Sequence, residues 1–210
     1  MERTGTPWRA ILFWGTCWGI LESTVGALLH LLPVRLGFLV WAPMAMGCML
    51  GAYRATGKTR AVLFAAAIAA AFKLTNLFFP IRVDKVLNPA VSILLEGLSL
   101  AALLALCRGV PAGSGGRCLF ALGVNTLWRG AYLLYLLLTP AWIREISVLA
   151  STSALMRHLV WDNLASTAVL IGLMALLCRR PVARDSRVAR AGTPLLLLLC
   201  AANLILQWTL

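Results

Sequence analysis

The feature that most constrains this chain is a series of long apolar runs, separated by short segments that carry prolines and basic residues. A helix that crosses a lipid bilayer needs about 20 predominantly apolar residues. Seven windows approach or exceed that length: 8–32, 36–53, 61–79, 86–107, 117–139, 157–178 and 194–210. Because backbone groups in lipid must be hydrogen-bonded internally, spanning runs form helices. The sequence therefore predicts an all-α, polytopic membrane helix bundle of six or seven transmembrane helices, forming one integral membrane domain over residues 1–210.

The composition excludes several other classes of protein. The chain is 61% apolar and 12% charged, whereas a soluble domain has roughly 45–50% apolar and about 25% charged residues. These proportions exclude a soluble enzyme, a disordered tail and a small disulfide scaffold. The six cysteines show no C-x-x-C pair and no metal-ligand spacing. We therefore expect no metal and no cofactor, and we interpret the cysteines as small buried apolar residues.

Two segments are less regular than the rest. Residues 141–156 contain Arg144, Glu145 and a Ser-Thr-Ser sequence. This pattern indicates an interfacial or re-entrant helix that leads into the sixth run. The last run has 17 residues, at the low end of the range for a spanning helix. The predicted number of spans is therefore six or seven.

Basic residues in short loops indicate orientation, because they are retained on the cytoplasmic side of a membrane. With alternating spans, twelve of the 19 Lys and Arg residues fall on the side of the N-terminus, and four fall on the opposite side. We therefore expect a cytoplasmic N-terminus and a multi-pass protein of the cell inner or plasma membrane. The net charge of +12 is then a topology signal, with some attraction to anionic lipid headgroups. No nucleic-acid partner is expected.

Ionisable side chains lie inside the predicted spans, where they are costly and usually mark function. Three are acidic and three are basic: Glu22, Lys73, Glu96, Arg129, Arg157 and Asp162. This balance predicts that they pair with one another around a common interior.

Polar residues recur at helical spacing beside these charges. Asn88, Ser92 and Glu96 are four residues apart, as are His158 and Asp162, so each set occupies one helix face. Most of them fall in the outer halves of their spans or at mid-depth, which predicts a cavity open to the outside. Its mixed charges and neighbouring aromatic residues suit a small polar or zwitterionic solute, such as one with a planar ring. The predicted ligand-binding residues are Glu22, His30, Lys73, Asn76, Asn88, Glu96, Arg129, His158, Trp161 and Asp162.

The first run also carries a ridge of small residues at four-residue spacing, formed by Gly15, Gly19, Ser23 and Ala27. Small residues let helices approach closely in lipid. The ridge is therefore a candidate surface for docking a partner subunit. The competing interpretation is packing within the bundle, for which the alanine-rich stretch 65–71 offers a similar surface.

Other chemistries fit the sequence less well. His158, Asp162 and Ser166 include the residue types of a hydrolase triad, but on one helix row the carboxylate cannot orient the imidazole toward the serine. His30 and His158 could ligate a haem, in a structural subunit of a larger membrane complex. The acidic residues could serve a membrane-embedded enzyme acting on a lipid or polyprenyl-linked substrate, but a nucleophile with its base is missing. The glycine-rich stretch 113–116 lacks the lysine and strand of a phosphate loop, so another subunit would have to use ATP.

Several of these residues resemble the substrate-binding S components of energy-coupling-factor (ECF) type vitamin and micronutrient importers. The resemblance rests on Trp-Gly-Ile-Leu-Glu at 18–22 with the small-residue ridge, on the stretch 65–71, and on Asn88-Pro89-Ala90 followed by Glu96. It implies a compact six-helix bundle that holds its ligand near the outer face. It also implies docking, through small residues on the first helices, onto a transmembrane coupling subunit driven by two ATPases. The expected function is thus the substrate-specific subunit of an importer rather than an enzyme, although the seventh run has no counterpart in that pattern.

Overall fold

The structure is a computed structural model that describes residues 7–31, 37–144, 146–178 and 193–209. Regular structure within those ranges is helical throughout, which confirms the all-α prediction. The helices are α1 (Pro7–Leu31), α2 (Gly37–Thr56), α3 (Arg60–Leu74), α4 (Asp84–Leu106), α5 (Ser114–Leu138), α6 (Ile146–Leu149), α7 (Thr152–Met156), α8 (Asp162–Cys178) and α9 (Thr193–Thr209). A 3-10 turn (Thr75–Phe78) extends α3, and a π-helical segment (Arg157–Trp161) joins α7 to α8.

Among the residues that the structure describes, three helical stretches are long and apolar enough to cross a membrane: 60–78, 84–106 and 152–177. The third combines α7, the π-helical segment and nearly all of α8. A shorter apolar helix covers residues 193–207. These lengths and compositions indicate a membrane helical protein.

Six of the helices form a closed ring. α1 packs against α2, α2 against α8, α8 against α5, α5 against α4, α4 against α3, and α3 against α1. α9 joins this ring as a seventh helix on the side formed by α1 and α3. The largest side chains buried between the helices include Trp18, Met46, Leu100, Phe120 and Met174.

Small residues on α3 allow the close approach of its two neighbours in the ring. The buried residues of α3 are alanines with a single valine: Ala61, Val62, Ala65, Ala66, Ala69 and Ala70. On the facing helix α4, a Cβ added at Gly97 would lie 2.5 Å from the Cβ of Ala66. The buried face of the alanine-rich stretch 65–71 therefore packs inside the bundle, between α1 and α4.

The small-residue ridge of α1 is also covered by helices of the same chain. A Cβ added at Gly15 would lie 2.8 Å from the Cβ of Ile68 on α3, and one added at Gly19 would overlap the Asn203 side chain on α9. Ser23 is buried and donates a hydrogen bond to the main-chain oxygen of Gly19 at 3.0 Å. The Ala27 side chain lies outside the described residues. At Gly15 and Gly19 the ridge thus packs within the bundle and is not open to a partner.

α9 runs parallel to α1. The Cys200 Sγ lies 3.6 Å from the Thr16 Oγ1, and Asn203 donates to the main-chain oxygen of Thr16 at 3.3 Å. One turn further along both helices, the Asn203 side chain covers Gly19. Residue numbers thus increase in the same direction along the two helices.

Residues 141–156 contain the two short helices α6 and α7 rather than one helix. Ser151 caps α7, because its hydroxyl accepts a hydrogen bond from the main-chain N–H of Ala154 at 3.1 Å. From this cap the chain stays helical into α8, so the helix starts at Thr152, five residues before the predicted start at 157. Arg144 donates to the main-chain oxygen of Thr139 at 2.9 Å, which satisfies a carbonyl at the end of α5. Glu145 lies outside the described residues.

Candidate functional site

A cavity of about 680 Å³ opens at one end of the helix ring. This end, called here the cavity end, carries the connection after the 3-10 turn and the helix α6, which contribute Ile81 and Val148. All of the long helices contribute to its wall. Its charged and amide-bearing lining residues, with His158, are Glu22, Lys73, Asn76, Asp84, Lys85, Asn88, Glu96, Arg129, His158, Asp162 and Gln207.

Eight of the ten predicted ligand-binding residues line this one cavity: Glu22, Lys73, Asn76, Asn88, Glu96, Arg129, His158 and Asp162. They come from seven helical elements, counting the 3-10 turn and the π-helical segment, and lie up to 140 positions apart in the sequence. The helical stripes seen in the sequence therefore do converge on a common interior. The His30 side chain lies outside the described residues.

Trp161 does not belong to the cavity lining, and its side chain is 68% exposed. The reason lies in the π-helical segment that ends at this residue. A π turn closes its hydrogen bonds from i to i+5, so it holds more residues per turn than an α-helix. The wider turn rotates Trp161 away from the face that His158 and Asp162 share. Trp161 is thus the one predicted ligand-binding residue with a described side chain that the structure places outside the cavity lining.

Arg129 on α5 is the central polar residue of the α5–α8 contact and is only 2% exposed. Its guanidinium donates to the main-chain oxygens of His158 and Asp162 at 3.1 and 3.3 Å, and to the Ser166 hydroxyl at 3.2 Å. It also lies 3.3 Å from the His158 Nδ1. A π-helical segment disturbs the regular ladder of helix hydrogen bonds. Arg129 satisfies carbonyls at that disturbance and thereby holds the cavity wall in place.

Asn88 also has a structural role at the cavity end. Its amide donates to the main-chain oxygen of Ile143 at 2.9 Å and accepts from the Tyr135 hydroxyl at 2.9 Å. Both ends of the amide are thus used within the protein. Asn88 ties the start of α4 to α5 and to the segment that follows α5.

The acidic residues of the cavity fall into two groups. Asp84 forms an ion pair with Arg82 at 2.9 Å, and Asp162 forms one with Arg157 at 3.6 Å. Glu22 and Glu96 form no ion pair with any described residue. Glu96 accepts one long hydrogen bond from Ser92 at 3.5 Å. The mutual pairing predicted for the six embedded charges is therefore seen for one pair, Arg157 with Asp162.

The four remaining charges still act on each other through space. Glu22 interacts electrostatically with Lys73, and Glu96 interacts with both Glu22 and Arg129. Among the described residues, none of these four side chains forms a direct ion pair with another of the four. The cavity thus presents two acids and two bases that face a common space.

Two amide side chains of the lining make no hydrogen bond to any other described residue. They are Asn76, which is 8% exposed, and Gln207, which is 6% exposed. The Asn76 Oδ1 and the Gln207 Nε2 are fully buried, as is the Nε of Arg129, which also has no partner among the described residues. Buried polar atoms in proteins are nearly always hydrogen-bonded. A group that none of the described residues supplies is therefore expected beside them.

Aromatic side chains form part of the same wall: Trp18, Trp41, Trp128 and Tyr132. The Arg129 guanidinium carbon lies 4.7 Å from the ring centroid of Trp128, a cation–π distance. The Trp128 ring also meets the His158 ring edge-on, with centroids 6.1 Å apart. Flat apolar faces therefore stand beside the charged groups.

Among the charged, amide and aromatic residues of the lining, sequence reasoning missed four: Trp41, Asp84, Lys85 and Gln207. Trp41 gave no signal, because an aromatic residue in an apolar run is not unusual. Asp84 and Lys85 were assigned to a loop, although they begin α4. Gln207 was detectable, since Asn203 and Gln207 form a four-residue polar stripe in an otherwise apolar run.

Among the residues that the structure describes, no group of three His, Cys, Asp or Glu side chains could hold a metal ion. Comparisons with protein-family models, with curated proteins and with solved structures find no match to this chain.

Proposed function

We propose that this chain is a multi-pass membrane transport component that binds a small polar or zwitterionic solute in the cavity. In this proposal it is the substrate-specific subunit of an importer in the cell inner or plasma membrane. The observation that carries the proposal is the cavity and its charges. Seven formally charged side chains line it, and two of its four acids, Glu22 and Glu96, have no ion-pair partner among the described residues.

The size and the chemistry of the cavity support this proposal. Pockets for small molecules usually have volumes of about 300–1,000 Å³ and combine apolar walls with a few placed polar groups. A volume of about 680 Å³ lies within that range. Unpaired charges in a membrane protein face water-filled cavities and mark solute or ion pathways. Mutual pairing does not explain why Glu22 and Glu96 lie in the cavity, whereas a role in solute binding does.

The proposed topology has seven spans with the N-terminus in the cytoplasm. The first and seventh spans of such a protein cross the membrane in the same direction, and α1 and α9 run parallel. The connections after α2 and α4 then lie in the cytoplasm, and the cavity end faces outward. A solute would enter the cavity from outside the cell.

The proposed partner is a transmembrane coupling subunit that works with ATPases, because the sequence contains no phosphate-binding loop of its own. Gly15 and Gly19 are covered by α3 and α9. We therefore place the coupling subunit on a face of the bundle other than this part of the ridge. Co-purification of the full-length chain with such subunits tests this part of the proposal.

The test of solute binding uses full-length protein in mild detergent, incubated with the small-molecule fraction of the cells that express it. Mass spectrometry then identifies the molecules that remain after the protein is washed and denatured. We expect one polar molecule to be enriched with the unaltered protein. Glu22→Gln and Glu96→Gln keep the side-chain shape, and each should reduce retention about tenfold or more, the effect of roughly 1.4 kcal/mol of binding free energy.

The matched control is Lys58→Gln. Lys58 is exposed in the connection between α2 and α3, and it does not line the cavity. This variant should retain the molecule as well as the unaltered protein does. The proposal fails if nothing is enriched with the unaltered protein, or if both glutamate variants retain the same amount as Lys58→Gln.

A further inference from the structure

The last helix reaches the cavity at its C-terminal end. Asn203 lies against Gly19, and Gln207 follows Asn203 by one turn, just as Ser23 follows Gly19 by one turn. Both Gln207 and Ser23 line the cavity. α9 also packs against the 3-10 turn that carries Asn76. The parallel packing of α9 on α1 thus places Gln207 on the same side of the cavity as Asn76.

These two amides make fewer hydrogen bonds than the other buried amides of the bundle. Asn203 also has an Oδ1 without a described partner, but its Nδ2 donates to the main-chain oxygen of Thr16. Asn88 bonds to Ile143 and Tyr135, and Asn125 bonds to Thr167 and Trp128. Asn163 bonds to Thr126. Asn76 and Gln207 are more than nine-tenths buried, yet the Asn76 Oδ1 and the Gln207 Nε2 bond to none of the described residues. A buried amide without partners loses the hydrogen bonds that it would make in water, at a cost of about 1–3 kcal/mol for each group.

We propose that Asn76 and Gln207 form an amide subsite of the cavity, which binds a planar group carrying an N–H donor next to a carbonyl-type acceptor. An amide side chain offers one acceptor and two donors, so two amides together match both halves of such an edge. Carboxamides, lactams and nucleobase-like rings belong to this chemical class. Trp18, which is 1% exposed, belongs to the wall of the same cavity. This inference rests on the proposed function, because it names the chemistry of a solute that the cavity binds.

The subsite also gives α9 a role. The six-helix ring is closed without α9, since α1 and α3 pack directly against each other. α9 nevertheless adds Leu206 and Gln207 to the cavity wall. In this inference the seventh helix completes the binding site and contributes to its specificity.

The test uses the same retention experiment, with the small-molecule fraction of the expressing cells as the probe. Gln207→Leu and Asn76→Leu remove the amide and keep a similar volume. Each should lower retention of the molecule that the unaltered protein enriches about tenfold, since one to two hydrogen bonds are lost. That molecule should contain a planar group with adjacent N–H and carbonyl functions. The control Leu204→Ala changes an exposed residue of α9 outside the cavity and should retain the molecule fully.

Thermal unfolding of each variant checks that the helices stay packed, and Gln207→Asn provides a second variant that keeps the amide. The inference is overturned if the enriched molecule lacks such a group, or if Gln207→Leu and Asn76→Leu retain it in full. In that case Glu22→Gln and Glu96→Gln would still reduce retention about tenfold or more, and the proposed function would stand. If the unaltered protein enriches no molecule, both the inference and the proposed function fail.

Discussion

Arg129 donates a hydrogen bond to the main-chain oxygen of His158 at 3.1 Å, inside the π-helical segment that joins α7 to α8. The same guanidinium reaches the main-chain oxygen of Asp162 at 3.3 Å. A charged side chain from α5 thus completes the hydrogen bonding of a neighbouring helix. The irregular turn and the buried arginine are therefore parts of one arrangement.

Replacing Arg129 by lysine should destabilise the protein although the charge is kept. A single ammonium group cannot reach the two carbonyls and the Ser166 hydroxyl together, because it lacks the planar fork of a guanidinium. Buried acceptors left without a donor cost about 1–3 kcal/mol each. We expect a loss of about 2–4 kcal/mol in the free energy of unfolding, seen as a lower melting temperature of the detergent-purified chain.

Arg117 on the same helix provides the matched control. It lies in the first turn of α5 and makes one long hydrogen bond, to the main-chain oxygen of Gly113 at 3.4 Å. Arg117→Lys should change the free energy of unfolding by less than about 0.5 kcal/mol. Equal melting temperatures for Arg129→Lys and Arg117→Lys would contradict the role assigned to Arg129.

The helices and their polar faces could be predicted from the sequence because both are local properties. A run of about 20 apolar residues and a spacing of four residues are visible without knowledge of the neighbours. This is why Glu22, Lys73 and Glu96 could be selected before the structure was known. Their depth in the spans placed them in one region of the bundle.

What could not be predicted depends on which helices are neighbours. The contact of Gly19 with Asn203 joins residues 184 positions apart, and no local pattern specifies it. The π-helical segment could not be predicted for the same reason. The main-chain oxygens of His158 and Asp162 accept hydrogen bonds from Arg129, which lies on another helix. Trp161 was included among the predicted cavity residues by assuming α-helical periodicity across that segment, and the structure places it outside the lining. Gln207 was missed because the last run was considered as a span rather than as part of a site.

Adding a methyl group at Gly15 or Gly19 should weaken the packing of α1. A Cβ at Gly15 would meet the main-chain oxygen of Ala65 at 2.9 Å, so the backbone of α3 would have to move. Overpacking of this kind costs about 1–3 kcal/mol. Gly15→Ala and Gly19→Ala should therefore lower the melting temperature, while Gly19→Ala combined with Asn203→Ala should recover part of the loss.

Gly130 on α5 serves as the control for these substitutions. A Cβ added at Gly130 meets no atom within 4 Å, and alanine is favoured over glycine in a helix by about 0.5–1 kcal/mol. Gly130→Ala should leave the melting temperature unchanged or raise it. The packing assignment for the ridge would be wrong if all three alanine variants behaved alike.

The orientation of the bundle can be read from the accessibility of its two ends. Ala112 lies in the exposed connection between α4 and α5, and Ala141 lies in the exposed segment after α5. α5 separates the two positions, so they lie at opposite ends of the bundle. Because basic residues concentrate on the side of the N-terminus, that side is expected in the cytoplasm.

In a background without the native cysteines, a membrane-impermeant maleimide should label Ala141→Cys in intact cells and leave Ala112→Cys unlabelled. Both should be labelled once the membrane is permeabilised, which controls for folding and reactivity. Labelling of Ala112→Cys alone in intact cells would reverse the topology and would place the cavity mouth on the cytoplasmic side, where it could not capture a solute from outside.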